Sequence, residues 1–313
     1  MNRKEFLATT FSAALGLAVM PTFLSCTTSK ISNRTIFEPL KLSSGNLSKV
    51  RGNVSRYTNK GGTVGIFETI DGFVIIDSQF PDSIKPVLDG IFAKGKPILY
   101  LANTHHHGDH TSGNISFKDL TKKIVAHRRV PELQRRAAEE KKTLDQQLYP
   151  NILFENTYNF DLGNEKVRGI RLGAGHTFGD AVYHFEKDNV VHMGDLMFVN
   201  MIPVYRTKDG ANSLGWIKAL ENAISSFDND TIFIFGHADK PENTTGTKEN
   251  LQEMKNFLEA SNDFVSRAIR EGKTTEQLLA ENAFIPGFEN RTTKERFPDY
   301  LKGLRETLTG KNE

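Results

Sequence analysis

A chain of 313 residues with 38% apolar and 25% charged side chains has the composition of a soluble globular protein, long enough for one large domain or two small ones. Forty basic side chains against 38 acidic ones leave a net charge of +2, which indicates no nucleic-acid or acidic-surface partner. Cys26 is the single cysteine; it excludes an internal disulfide framework and a cysteine-rich zinc site, so a bound metal would have to use histidine and carboxylate.

Taken in chain order, the first segment reads as an export signal. Arg3 and Lys4 make a short basic start, Phe6 to Val19 is mostly apolar, and Leu24-Ser25-Cys26 closes it. The apolar stretch is short against the roughly 20 residues of a membrane-spanning helix. Leu-Ser-Cys resembles a lipoprotein signal, in which the cysteine is acylated and becomes the first mature residue. The expectation is a signal over 1–26, lipidation at Cys26, and an exported, periplasmic protein tethered to a bacterial membrane by lipid alone. Residues 27–48 are rich in Ser, Thr, Asn and Lys and read as a linker. The folded domain is expected over 49–313.

Residues 50–57 and 63–69 read as strands around the Gly61-Gly62 turn, and 73–76 as a buried strand after Asp71-Gly72. A helix is expected over 81–94, then strands at 97–101 and 124–126 and a charged amphipathic helix from Pro131 to about Leu144. Further strands are expected at 167–172, 181–185, 190–193 and 231–235, with a helix over 214–227. The tail after His237 reads as helical over 245–271, 275–281 and 296–309. Strands first and helices interleaved later fit two packed sheets with helices on their outer faces.

The strongest chemical signal is Thr104-His105-His106-His107-Gly108-Asp109-His110, which follows an apolar strand. A solvated charge run would use Lys and Glu. Residues two apart in a loop can face one side, so His105 and His107 can chelate one metal. Asp109 and His110 can turn to a second, with His106 and Gly108 as spacers. Zinc takes about four ligands and keeps one position open for catalysis, so this cluster cannot saturate two metals alone. Further candidates stand near strand ends: His176 in Gly173-Ala174-Gly175-His176-Thr177, Asp195 in Met193-Gly194-Asp195, and His237 in Phe235-Gly236-His237.

This string, His-x-His-x-Asp-His, then Gly-His-Thr, Gly-Asp and Gly-His, resembles the metallo-β-lactamase superfamily over roughly residues 50–240. The resemblance implies an αββα sandwich, two mixed sheets flanked by helices. It implies His105, His107 and His176 on one metal, Asp109, His110 and His237 on a second, and Asp195 bridging both. Asp77 would orient a ligand. It further implies two zinc ions sharing a hydroxide that attacks an ester, thioester, lactone or amide, with Asp109 orienting the nucleophile. Asp195 stands where the zinc β-lactamases often have cysteine or serine, so β-lactam turnover is expected to be weak. It is similar instead to glyoxalase II, lactonases and phosphodiesterases of the superfamily. The alternative implied by the same resemblance is a persulfide dioxygenase with one iron on His107 or its neighbours, His176 and Asp195.

Loops 79–82, 144–159 and 197–212 are the candidate walls of a small-molecule cleft. Phe198, Tyr205 and Trp216 could line it or belong to the core, and Asn200 is a candidate donor to a developing oxyanion. His127, His184 and His192 match no ligand position.

Overall fold

The computed structural model describes residues 34–310, so the expected signal and Cys26 lie outside the described residues. Four strands open the fold as a meander: β1 (Asn46–Arg51), β2 (Val54–Thr58), β3 (Val64–Glu68) and β4 (Phe73–Ile76). Each pairs antiparallel with the next. Helix α1 (Pro81–Lys94) then crosses to β5 (Ile98–Asn103), which is parallel to β4. Pro81 at the first helical position starts α1, and Gly95 at φ 66° ends it. A one-turn helix α2 (Gly108–Thr111) follows, then β6 (Ile124–His127), α3 (Val130–Lys141) and β7 (Ile152–Phe154), completing a seven-stranded sheet in sequence order.

The second sheet holds β8 (Thr157–Asn159), β9 (Val167–Ile170), β10 (Val182–Phe185) and β11 (Val190–His192). The next elements are β12 (Phe198–Val199), α4 (Ser213–Ser226), β13 (Ile232–Ile234), β14 (His237–Ala238) and β15 (Thr245–Gly246). The six-stranded order is β15-β13-β11-β10-β9-β8, and β12 pairs with β14 in a separate ribbon. Helices α5 (Lys248–Arg270), α6 (Thr275–Glu281) and α7 (Phe297–Thr309) finish the chain.

Alternation along the strands builds the layers. On β4, Val74 and Ile76 join Tyr100, Tyr183, Phe185 and Ile234 between the two sheets, while Phe73 and Ile75 face Ile84, Val87 and Ile91 of α1. On β11, Val190 faces between the sheets and Val191 packs with Trp216 of α4 and Leu258 of α5. The order is therefore helix, sheet, sheet, helix, as the resemblance implied. Each fully buried Leu, Ile or Phe in these layers contributes roughly 1.5–3 kcal/mol.

Several boundaries differ from expectation. The strand read over 50–57 is two strands, because Gly52 at φ 56° turns the chain between β1 and β2. Strands β7 and β8 are short and partly exposed and left no periodic signal. The helix read from 245 begins at Lys248, after β15. Of the expected linker over 27–48, the described part is not a free tether. Leu40 is buried with the α1 layer, Asn53 accepts from the Phe37 backbone at 3.1 Å, and β1 already begins at Asn46. The compact unit starts at Ile36 rather than 49. Among the described residues no helix is long and apolar enough to cross a membrane.

Candidate metal centre

Four strands deliver the candidate ligands. The loop after β5 carries His105 to His110, the loop after β9 carries His176, Asp195 follows β11, and His237 follows β13 and opens β14. Backbone bonds lock these loops together: Gly236 N donates to Gly194 O at 2.9 Å and Thr63 N to Gly236 O at 2.9 Å. Gly194 has φ 54°, and a Cβ there would stand 2.6 Å from Thr104, so only glycine lets Asp195 turn inward beside the His105 loop.

The structure brings all seven expected ligands into two adjoining groups. In the first, His107 Nδ1 lies 3.1 Å from His105 Nε2 and 2.9 Å from His176 Nε2, and Asp195 Oδ2 is 3.7 Å and 3.4 Å from those two Nε2 atoms. In the second, His237 Nε2 is 3.1 Å from Asp109 Oδ2 and 3.4 Å from His110 Nε2, and His110 Nε2 is 3.7 Å from Asp109 Oδ2. Asp195 reaches this group too, at 3.0 Å from His110 and 3.3 Å from His237. Zinc–nitrogen bonds of about 2.0–2.1 Å in a tetrahedron separate neighbouring ligand atoms by roughly 3.3 Å. The observed spacings bracket that value, so the residues present fit a metal ion in each group.

Electrostatics divides the cluster. Burial pushes His105 and His176 well below the usual histidine range, which keeps their lone pairs free. Burial also pulls on His110 and His237, but Asp195 with Asp77 and Asp109 overcomes it for His110, which is held well above its usual value. Asp195 and Asp109 lift His237 to about 9. Burial would raise Asp195 and Asp109, yet the neighbouring imidazoles keep both well below the usual carboxylate range. Cations can take over these charge pairings when the protons leave.

Supporting groups fix the rings. Asp77, at φ 63° and fully buried, accepts from Thr104 N and Oγ1, both at 2.8 Å, and from His110 Nδ1 at 2.7 Å. That leaves His110 Nε2 facing the group, the orienting role expected for Asp77. Asp180, not singled out in the sequence, accepts from the backbones of Gly175, His176 and Thr177 and from Thr177 Oγ1, and so shapes the loop that holds His176. Its signal was the Thr177/Asp180 spacing, which reads as an ordinary turn. Asp209 was also missed. Its Oδ2 is 3.1 Å from His107 Nε2 and its Oδ1 takes Arg136 at 2.6 Å, so the His107 ring is turned with Nδ1 toward the first group. His106, read as a spacer, is a buried wall residue whose Nε2 lies 3.8 Å from Asp209. With His107 and Asp209 it forms a third trio. Because His107 Nδ1 already belongs to the first group, this trio is its support.

Asp109, His107, Asp195 and His237 open onto a cleft of about 250 Å³. Of the candidate walls, 79–82 contributes Phe80 and 197–212 contributes Val204, Arg206, Lys208 and Asp209, while 144–159 contributes nothing. Helix α3 and Arg296 supply walls that the sequence did not suggest. Phe198, Tyr205 and Trp216 are core: Phe198 stacks under His237 at 5.0 Å, and Trp216 backs His176 at 5.3 Å. Asn200 does not line the cleft; its side-chain amide donates to Asp239 at 3.3 Å, which removes it as an oxyanion donor. His192 is packed, its Nε2 3.0 Å from Thr63 O. His184 lies against Phe227, and His127 meets Arg171.

The profile of the metallo-beta-lactamase superfamily matches residues 61–237. Hydroxyacylglutathione hydrolase of Methylococcus capsulatus is 29% identical over 123 residues, 38% of this chain and 41% of that protein. Its namesake in Rhizobium meliloti is 25% identical over 160 residues, 49% of this chain and 53% of that protein. The matches thus span about half or less of those relatives. Among solved structures, the sec-alkylsulfatase Pisa1 from Pseudomonas sp. superposes with a TM-score of 0.65 at 14% identity, over 84% of this chain and 50% of that one. A metallo-beta-lactamase from Pontibacter korlensis gives 0.56 at 19%, over 69% and 99%. Strand order, ligand spacing and the profile match converge: the chain belongs to the metallo-beta-lactamase superfamily.

Proposed function

We propose that this chain is a metal-dependent hydrolase with two zinc ions, acting on a small ester or thioester. The observation that carries the reading is Asp195, whose carboxylate stands within 3.4 Å of His176 on one side and 3.3 Å of His237 on the other. One carboxylate shared by two nitrogen-rich groups suits two cations side by side. His105, His107 and His176 would hold one, Asp109, His110 and His237 the other. When bound, such a pair lowers the pKa of water toward 7 and polarises the scissile carbonyl.

The chain's own residues do the rest. Asp109 is the most accessible carboxylate of the set, with 31% of its side chain exposed at the cleft, where it can accept a proton from the nucleophile. His105, His110 and His176 are closed off behind it and keep the donor atoms fixed without solvent. The curated relatives are named for acylglutathione hydrolysis, and an acylglutathione is a thioester, which supports that bond class. A single-iron dioxygenase would leave Asp109, His110 and His237 without a role. Export and lipid anchoring at Cys26 remain part of the proposal on the strength of residues 1–26 alone.

The test is a chelator-stripped preparation assayed against an acyl thioester, a lactone, a phosphodiester and a β-lactam, before and after zinc is returned. Hydrolysis that vanishes on stripping and returns with zinc is expected. Full activity in the stripped protein, or oxygen uptake with a persulfide and iron, overturns the proposal.

A further inference from the structure

The rim of the cleft carries charge that the metal centre does not use. Outside the candidate ligands, five cationic side chains line it, Arg136, Lys141, Arg206, Lys208 and Arg296, against two carboxylates, Glu140 and Asp209. The carboxylates are already committed. Arg136 binds Asp209 at 2.6 Å and Lys208 binds Glu140 at 2.8 Å. Three cations remain in excess, in a chain whose total charge is only +2, so the excess is concentrated here.

Each of the three is free to take a ligand. Lys141 is exposed at the end of α3 and has no acidic partner among the described residues; its Nζ lies 3.9 Å from where a Cβ on Gly108 would stand, directly over the ligand loop. Arg206 is 53% exposed and reaches Asp209 only at 4.0 Å, a carboxylate that Arg136 and His107 already hold. Arg296 donates to the Ile202 carbonyl at 3.3 Å, a neutral acceptor that leaves its charge unbalanced. They come from three separate elements: α3, the 204–209 loop and the turn before α7. Phe80, Ala137 and Val204 add a short apolar stretch to the lining of the same cleft.

We infer that the substrate carries a fixed anionic group, a carboxylate, sulfate or phosphate, held by Lys141, Arg206 and Arg296 while its ester or thioester carbonyl lies at the ligand groups. The inference rests on the hydrolase reading and adds the substrate's charge to it. Two guanidinium groups suit an oxyanion because each can donate two parallel N–H bonds. A cleft of about 250 Å³ suits a small substrate.

The experiment compares mono-4-nitrophenyl glutarate with 4-nitrophenyl valerate, of similar length and differing by one carboxylate, on the zinc-loaded chain. The glutarate ester is expected to have a kcat/KM at least ten-fold higher at low ionic strength. That preference should shrink as salt screens the rim. Combining Lys141→Gln, Arg206→Gln and Arg296→Gln should bring the ratio to within about two-fold of unity. A wild-type ratio near one, or a preference the triple variant keeps, overturns the inference. If neither ester is cleaved, the hydrolase reading fails separately, and calorimetry with glutarate decides the rim. Binding lost in the triple variant supports it; no binding to the wild type, or equal binding to both, overturns it.

Discussion

Replacing Gly62 by alanine puts the proposed two-metal arrangement under direct strain. A Cβ at residue 62 would stand 2.1 Å from His110 Cε1 and 2.3 Å from Nε2. Unstrained carbon contacts lie at about 3.5–4.0 Å, so the ring would have to retreat on the order of 1.5 Å. It has no free path: Nδ1 is bound to Asp77 at 2.7 Å and the side chain is fully buried. Metal–ligand bonds tolerate about 0.2 Å, several times less than the displacement required. The second group should therefore lose its metal while the first keeps its own. Affinity there should fall at least the 10–100-fold that a disturbed ligand support typically costs. The metal-free protein should also lose about 1–3 kcal/mol to overpacking. Elemental analysis after dialysis at fixed free zinc, with urea melts of the metal-free protein, reads both. A Gly62→Ala protein that holds two metals at unchanged affinity would show that the His110 ring does not position a metal as described.

Asp77→Ala leaves Thr104 N, Thr104 Oγ1 and the His110 ring without their acceptor, and unsatisfied buried donors cost about 1–3 kcal/mol each. Urea unfolding of the metal-free variant should show a loss of about 3 kcal/mol or more; an unchanged midpoint contradicts this. Asp209→Ala frees His107 Nε2, and zinc affinity, measured by competition with a chromophoric chelator, should drop roughly 10–100-fold. Equal affinity would mean that Asp209 does not position the ring. Burial, then the Arg171 charge, holds His127 down at about 4, against about 6.5 in the unfolded chain. The unfolded state binds more protons between those values, so this stability is present above pH 6.5 and lost as pH falls toward 4. His127→Gln should flatten the wild-type decline in that window; an identical slope in both proteins counts against it.

What could be read from the sequence was what local spacing encodes. His105, His107, Asp109 and His110 announce themselves because four ligands fall within six residues. β4, α1 and α6 match their expected bounds because a Gly turn, an N-terminal proline and a capping threonine mark them. Asp209 and Arg296 could not be found this way. Asp209 meets His107 across 102 residues of sequence, from a Lys-Asp-Gly stretch that looks like any surface turn. Asn200 misled for the complementary reason: it sits in the right loop, but its backbone takes a left-handed φ of 54° and its amide goes to Asp239. The third dimension decides which loop residues face the cleft, and local pattern carries no trace of it.

The proposed pair of zinc ions sharing Asp195 is tested by elemental analysis of the chain purified without added metal. Close to two zinc per chain are expected. Close to one iron per chain, with no second site filled on titration with zinc, would rule the pair out.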